Sequence, residues 1–281
     1  MNFEYFIARK VAASGQKSFS RLIIRIAIAG IALSIAVMII ATALIRGFKS
    51  EISTKIFGFW GHIHITDINS TRSFEEKPID KNEAFVKELD TIKQIRHIED
   101  MSVLGYDMNE EHLRKYQTKG GIRHVQLFAT KKGIIKTKDN IIEGIVLKGV
   151  WKDFDWTFFD NYLEEGSTIQ FPDSTNSQDI LISRSTAKRL KLKVGDKFRI
   201  HFVKDKQQLR RRFQVCGIYK TGLEEYDKIF ALVDLRQIQR LHGWNADEVT
   251  GFEVFIDDLD DLEVINDYIC LLYTSPSPRD S

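Results

Sequence analysis

Ile26-Ala-Ile-Ala-Gly-Ile-Ala-Leu-Ser-Ile-Ala-Val-Met-Ile-Ile-Ala-Thr-Ala-Leu-Ile45 is the stretch on which the reading of this chain turns. It carries no charge, and at about 1.5 Å rise per residue a helix of this length spans roughly 30 Å, the thickness of a bilayer's hydrocarbon core. A core helix of a soluble protein would show a polar stripe or be shorter. Ala41-Thr-Ala43 resembles a cleavage site, which keeps a signal peptide in play. Against it, the run exceeds the usual h-region of about 7–15 residues, and Leu44-Ile-Arg-Gly-Phe48 continues the helical pattern. The expectation is a transmembrane helix over residues 21–46.

Charge on either side sets its direction. Arg9, Lys10, Lys17, Arg21 and Arg25 precede the span, and Arg46, Lys49 and Lys55 follow it. The positive-inside rule places the N-terminus in the cytoplasm and everything after Arg46 outside. Arg21 and Arg25 are expected to anchor the cytoplasmic end by snorkelling toward headgroups. Residues 1–20 read as a cytoplasmic amphipathic segment, with Phe3, Phe6, Ile7 and Val11 on one face. Beyond the span, Phe48, Ile52 and Ile56 recur every four residues among polar ones. That pattern predicts a helical stalk over 47–58, ending near Gly58. Gly30 and Ser34, flanked by alanines, form a small-residue face on which a second helix could pack.

Residues 59–269 read as one α+β domain. Trp60 to Thr66 alternates as a strand, and Lys81 to Ile92 has helical spacing. Met101–Leu104, Ile122–Ala129 and Ile141–Leu147 read as strands, and Asp155–Leu163 as a short aromatic helix. Ser183 is expected to cap a helix over Arg184–Leu190. Phe198–Val203 and Arg210–Ile218 form a hairpin about Lys204-Asp-Lys206. A strand at Ile229–Val233, a helix at Leu235–His242, a strand at Gly251–Ile256 and a last helix from about Leu259 follow. The centre, about 150–220, is strand-rich and is read as an inserted subdomain. From Cys270 to Ser281 the composition changes abruptly, so 270–281 is expected to be a non-native tail.

The whole chain has 281 residues, two cysteines and a net charge of +2. Without a block of like charge, nucleic acid is not an expected partner. There is no phosphate-cradling Gly-x-x-x-x-Gly-Lys-Ser/Thr loop, no Gly-x-Ser-x-Gly elbow and no His-Glu-x-x-His helix. No cofactor, metal or catalytic residue is expected. His62 and His64 would share a strand face as metal ligands can, but no third ligand is at hand. Asp257-Asp-Leu-Asp-Asp261 has the acid count of a cation loop without its spacing, and more simply places acids at a helix start.

The order of elements resembles the permease subunits of the FtsX/MacB superfamily, most closely the lipoprotein-releasing permeases LolC and LolE. The stretches that carry the resemblance are Arg46-Gly-Phe48, Gly144-Ile-Val-Leu-Lys-Gly-Val150, Ile180-Leu-Ile-Ser-Arg-Ser-Thr-Ala-Lys-Arg-Leu190, Leu192-Lys-Val-Gly-Asp196 and Val215-Cys-Gly-Ile-Tyr-Lys-Thr-Gly-Leu-Glu-Glu-Tyr-Asp227. The resemblance implies a MacB-like periplasmic core domain on an inner-membrane permease. It implies as partners a cytoplasmic ATPase dimer, a second permease subunit, lipoprotein cargo, a periplasmic carrier protein and membrane lipid. ATP hydrolysis would reside in the partner, and the stalk would relay its motion to the domain. Met38, Ile39, Thr42 and Ile45 correspond to where a lipid cavity opens. Gly47 and Phe48 match the family's Asn-Gly-Phe at the membrane exit, with Arg46 in place of Asn. The loop Phe171–Gln178 is a candidate carrier contact. The family continues with three further membrane helices beyond the region matched here. A single-pass sensor, or a permease of the same superfamily for efflux or control of cell-wall hydrolases, is the alternative.

Overall fold

The computed structural model describes residues 3–13, 19–68, 76–99, 102–103, 106–107, 114–136, 142–173, 175–204 and 207–274. Two compact units are present, Met1–Thr54 and Lys55–Ser281. Helix α1 runs Phe3–Ala13 and helix α2 runs Phe19–Trp60, so the boundary between the units falls within α2. From residue 22 to residue 50 every residue of α2 is exposed. Within Leu22–Trp60 an 18-residue window reaches a mean hydropathy of 2.7, so the helix is long and apolar enough to cross a membrane. An apolar surface of that size is not left in water by a helix meant for a soluble core. The helix passes through Ala41-Thr-Ala43 without a break.

α2 outlasts the expected stalk by two residues and stops where Gly61 adopts a φ of +73°. The Gly61 N–H bonds back to the Phe57 carbonyl at 2.7 Å, a left-handed cap that costs glycine little. Gly58 serves a different need: a Cβ there would collide with the Phe158 ring, so only glycine lets that ring lie against the helix.

The second unit continues with β1 (Ile63–Thr66), β2 (Ile79–Asp80), α3 (Ala84–Leu89), β3 (Arg96–Glu99), β4 (Ser102–Val103), β5 (Tyr106–Asp107) and β6 (Arg114–Gln117). The long β7 (Ile122–Lys136) and β8 (Ile142–Val150) follow, then α4 (Thr157–Tyr162), β9 (Leu163–Gly166), β10 (Asp179–Ser183) and α5 (Arg184–Leu190). The chain goes on through β11 (Lys197–Lys204), β12 (Gln207–Tyr219), α6 (Glu224–Ile229), β13 (Phe230–Asp234), α7 (Leu235–His242), β14 (Glu248–Val249), β15 (Gly251–Ile256), a 3-10 turn at Leu259–Asp261 and α8 (Leu262–Thr274).

Nine strands form one mixed sheet in the order β1-β15-β7-β11-β12-β10-β13-β8, with β9 on β12. Because β8 also pairs with β7, the path from β7 through β11, β12, β10, β13 and β8 closes on itself. The pairs β10/β12 and β13/β8 are parallel and the other pairs of this sheet antiparallel. Closure removes free edges along that path. The 150–220 segment supplies β9 to β12 and joins the remainder through β11 on β7 and β10 on β13.

One core lies around this ring, with Ile135, Leu147, Ile182, Ile200, Phe202 and Phe213 buried. A second lies between β1, β15, α3 and α8, including Phe85, Leu89, Phe252 and Ile265. A third, aromatic core gathers Phe59, Phe154, Phe159 and Tyr219.

α5 has its expected ends, with the Ser183 Oγ accepting from the Thr186 N–H at 3.0 Å. α7 also does, between Asp234 and a left-handed Gly243. The helix expected over 81–92 is confined to α3, because Lys81 is held by its N–H to the Asp247 carbonyl beside the β2–β14 ladder. β7 and β8 run longer than their apolar stretches suggest, since they pair over eight positions as a hairpin. At the C-terminal end, α8 carries through Cys270 to Thr274, and the Tyr273 ring meets Phe85 edge-on at 5.2 Å.

Candidate functional site

The sequence-derived positions are collinear on α2. Gly30, Ser34, Met38, Ile39, Thr42, Ile45, Gly47, Phe48 and Arg25 are all exposed, and Ile52 and Ile56 are half-buried. Gly30 and Gly47 have open space where a Cβ would go. The Thr42 hydroxyl donates to the Met38 carbonyl at 2.8 Å, which satisfies it without a partner from outside the helix. Arg21 lies in α2, its side chain outside the described set. One helix cannot enclose a cavity, so the positions from Arg25 to Phe48 do not by themselves form one.

The structure gathers its most unusual chemistry at the last turn of α2, within the second unit. Phe59 is fully buried, packed against Phe159, Tyr226 and Phe230 at ring distances of 5.5, 5.6 and 5.5 Å. Behind it, Lys148 of β8 and Glu253 of β15 form an ion pair at 2.8 Å, both side chains with no exposure. The Lys148 ammonium also donates to the Phe59 carbonyl and lies 4.6 Å from the Trp60 ring centre. A cation at the C-terminal carbonyls of a helix meets the negative end of its dipole. Gln126 of β7 donates to Glu253 at 2.7 Å and accepts from the Asp155 N–H at 2.9 Å. Burial pushes the Lys148 pKa down, and Glu253 pulls it back up. Helix end, β7, β8 and β15 are thus fastened through one buried charge pair. Sequence reasoning missed it. The available signal was a single charge in each of two apolar strands, Val146-Leu-Lys-Gly-Val150 and Gly251-Phe-Glu-Val-Phe-Ile256.

Beside this joint lies an open cleft of about 510 Å³, walled by Ile56, Phe57, Trp60, Phe128 and Tyr226. Its polar floor holds Glu76, whose carboxylate accepts from the Thr130 hydroxyl and, at 2.7 Å, from the Thr250 hydroxyl. Ile56 alone of the sequence-derived positions reaches it.

His62 and His64 make separate hydrogen-bond contacts. His62 Nδ1 accepts from the Ile256 N–H at 3.0 Å, while the His64 ring contacts the Trp60 carbonyl. Among the described residues no cluster of three or more His, Cys, Asp or Glu could hold a metal. The acids at 257–261 are used locally: Asp257 and Asp261 accept from the N–H groups of Gly121 and Gly120. Cys216 is half-buried, its thiol pushed up to about 12 chiefly by burial. The loop at Phe171–Gln178 is strapped at its ends, Arg236 donating to the Pro172 carbonyl and Ser177 N–H to Asp234.

Two histidines give the domain an acid limb. Burial, aided by Arg123, lowers His62 from 6.5 to about 4. Burial, aided by Lys131 and Lys204, lowers His242 from 6.5 to about 4. The folded state favours the neutral rings, so their contribution is complete above pH 6.5 and declines as pH falls toward 4, where the unfolded chain binds protons the folded one does not. Both rings are partly exposed, so the expected total is about 2 kcal/mol after screening. Denaturant unfolding at pH 7.5 and 4.5 measures it, and the difference should shrink in a His62→Gln, His242→Gln variant.

A helix apolar and long enough to span a bilayer, followed by a mixed α/β domain, defines the class. The chain belongs to the family of the MacB-like periplasmic core domain, matched over residues 26–269. It is similar to the lipoprotein-releasing system transmembrane protein LolE of Haemophilus influenzae, 26% identical over 97% of this chain and 61% of that protein. It is also similar to LolC of Buchnera aphidicola subsp. Schizaphis graminum, 22% identical over 86% of this chain and 52% of that one. The chain therefore spans only part, about half to three fifths, of the curated relatives it matches. Among solved structures, the periplasmic region of MacB from Actinobacillus actinomycetemcomitans matches 55% of this chain and 67% of that one at 16% identity, with a TM-score of 0.39. The extracellular domain of the transporter YknZ matches 51% and 70% at 16% identity, with a TM-score of 0.36.

Proposed function

We propose that this chain is part of a non-catalytic permease subunit of an ABC transporter, in which ATP hydrolysis by a partner drives release of lipoproteins from the inner membrane. The observation that carries the reading is the family match from within the apolar helix to the end of the α/β domain, together with relatives named as lipoprotein-releasing proteins. Physical need agrees: lifting acyl chains out of lipid costs about 0.8 kcal/mol per CH₂ and must be driven. In this reading α2 crosses the inner membrane from a cytoplasmic N-terminus, the α/β domain is periplasmic, and the Lys148–Glu253 joint passes helix motion into the sheet. A second permease packs on the Gly30–Ser34 face, and Met38, Ile39, Thr42 and Ile45 line the lipid path. The loop at Phe171–Gln178 meets a carrier.

The test is affinity purification of the full-length protein from membranes, with depletion in parallel. Co-purification of an ATPase and a second permease, with lipoproteins accumulating in the inner membrane on depletion, is the expected result. Co-purification with a wall hydrolase, or no ATPase at all, would overturn the cargo or the class.

A further inference from the structure

The cleft beside the end of α2 shares Trp60 and Tyr226 with the joint and adds Phe57, Phe128 and a carboxylate of its own. Its walls are aromatic, with Phe57, Trp60, Phe128 and Tyr226 contributing rings. Its floor is a carboxylate, Glu76, oriented by the Thr130 and Thr250 hydroxyls. An ionised carboxylate offers about four acceptor positions, so these two hydroxyls leave acceptor capacity for a further donor. The basic side chains among the described residues lining the cleft are His62, whose Nδ1 accepts from the Ile256 N–H, and His64, whose ring contacts the Trp60 carbonyl, with no lysine or arginine; the nearby Lys148 ammonium is committed to Glu253 and the Phe59 carbonyl. The opening of about 510 Å³ lies within the roughly 300–1,000 Å³ usual for small-molecule sites. Aromatic faces attract cations through their quadrupoles, and a carboxylate at the base adds a charge-assisted contact.

We infer that this cleft binds an ammonium group carried on an apolar body, the nitrogen against Glu76 and the apolar part along Phe57, Phe128 and Tyr226. Neutral apolar ligands would leave the carboxylate unanswered, and anions would be repelled by it. An ammonium of this kind is carried by a lysine side chain, whose four methylenes form the apolar body, and the occupant proposed is a lysine of a polypeptide.

Calorimetric titration of the purified full chain, in a non-ionic maltoside, with benzylammonium, whose N–H groups can donate to Glu76, tests this. Saturable binding is expected, with none for the neutral analogue in which carbon replaces nitrogen. Glu76→Gln, which keeps the shape and one of the two acceptor oxygens for the threonine hydroxyls, should weaken binding about tenfold, the scale of one charge-assisted contact. Competition by a lysine-containing peptide supports the proposal, and competition by glycerophosphoethanolamine but not by the peptide would overturn it. Absence of saturation with the unaltered chain, equal binding of the neutral analogue, or unchanged binding in a folded Glu76→Gln variant would overturn it. Comparison with the neutral analogue needs no variant, so the inference stays testable if Glu76→Gln misfolds.

Discussion

Lys148→Met is expected to destabilise the α/β domain by about 3–5 kcal/mol, because it leaves the Glu253 carboxylate buried without its ionic partner. Glu253→Gln should cost a similar amount by stranding the ammonium, although Gln126 retains a neutral partner. For a domain of this size that is a fall in Tm of about 10 °C. Combining the two replaces the charge pair by a methionine and an amide. The double variant should recover more than half of the loss, since removing a buried pair together is far less costly than breaking it. A double-mutant cycle from denaturant unfolding reads the coupling directly, and about 2 kcal/mol or more is expected. Single variants as stable as the parent would mean that water reaches the pair and that it fastens nothing. Recovery of stability without recovery of transport in the double variant would assign the Lys148 contact with the Phe59 carbonyl to coupling.

The elements legible in the sequence are those whose signals are local. The apolar run from Ile26 to Ile45 needs only length and absence of charge, and α5 announces itself by Ser183 at its start. Ring closure is a different matter. The joining of β11 to β7 and of β13 to β8 links residues some 65 to 85 apart in the chain, and no local pattern selects among the possible partners. The joint was hidden for a related reason. Leu147, Lys148, Gly149 and Val150 are all buried, so β8 shows no alternation that would mark Lys148 as facing inward. Glu76 closes a polar stretch without periodicity, and only the fold brings it beneath Thr130 and Thr250. Sequence reading therefore placed its candidates where the helix is periodic, whereas the tightly built chemistry sits where the helix ends.

Ser50→Pro is expected to abolish transport while leaving the α/β domain folded. Ser50 is exposed in α2, between the apolar span and the anchored last turn, and its carbonyl accepts from the Thr54 hydroxyl at 2.9 Å. Proline at this position removes the N–H bond to the Arg46 carbonyl and drives its ring into the preceding turn, a cost of about 3 kcal/mol or more that the helix relieves by kinking. If α2 relays motion as the proposed function requires, a kink there absorbs the displacement before it reaches Phe59 and Lys148. Lipoprotein release by the assembled transporter should fall at least about tenfold, a loss of about 1.4 kcal/mol or more of coupling, with ATP hydrolysis and the Tm of the domain close to those of the parent. Ser50→Ala removes the same side chain but keeps the N–H, so it should behave as the parent and separates backbone from side-chain effects. Undiminished release in Ser50→Pro would show that continuity of α2 is not needed, and the mechanical role assigned to it would have to be given up even if the family and the cargo stand.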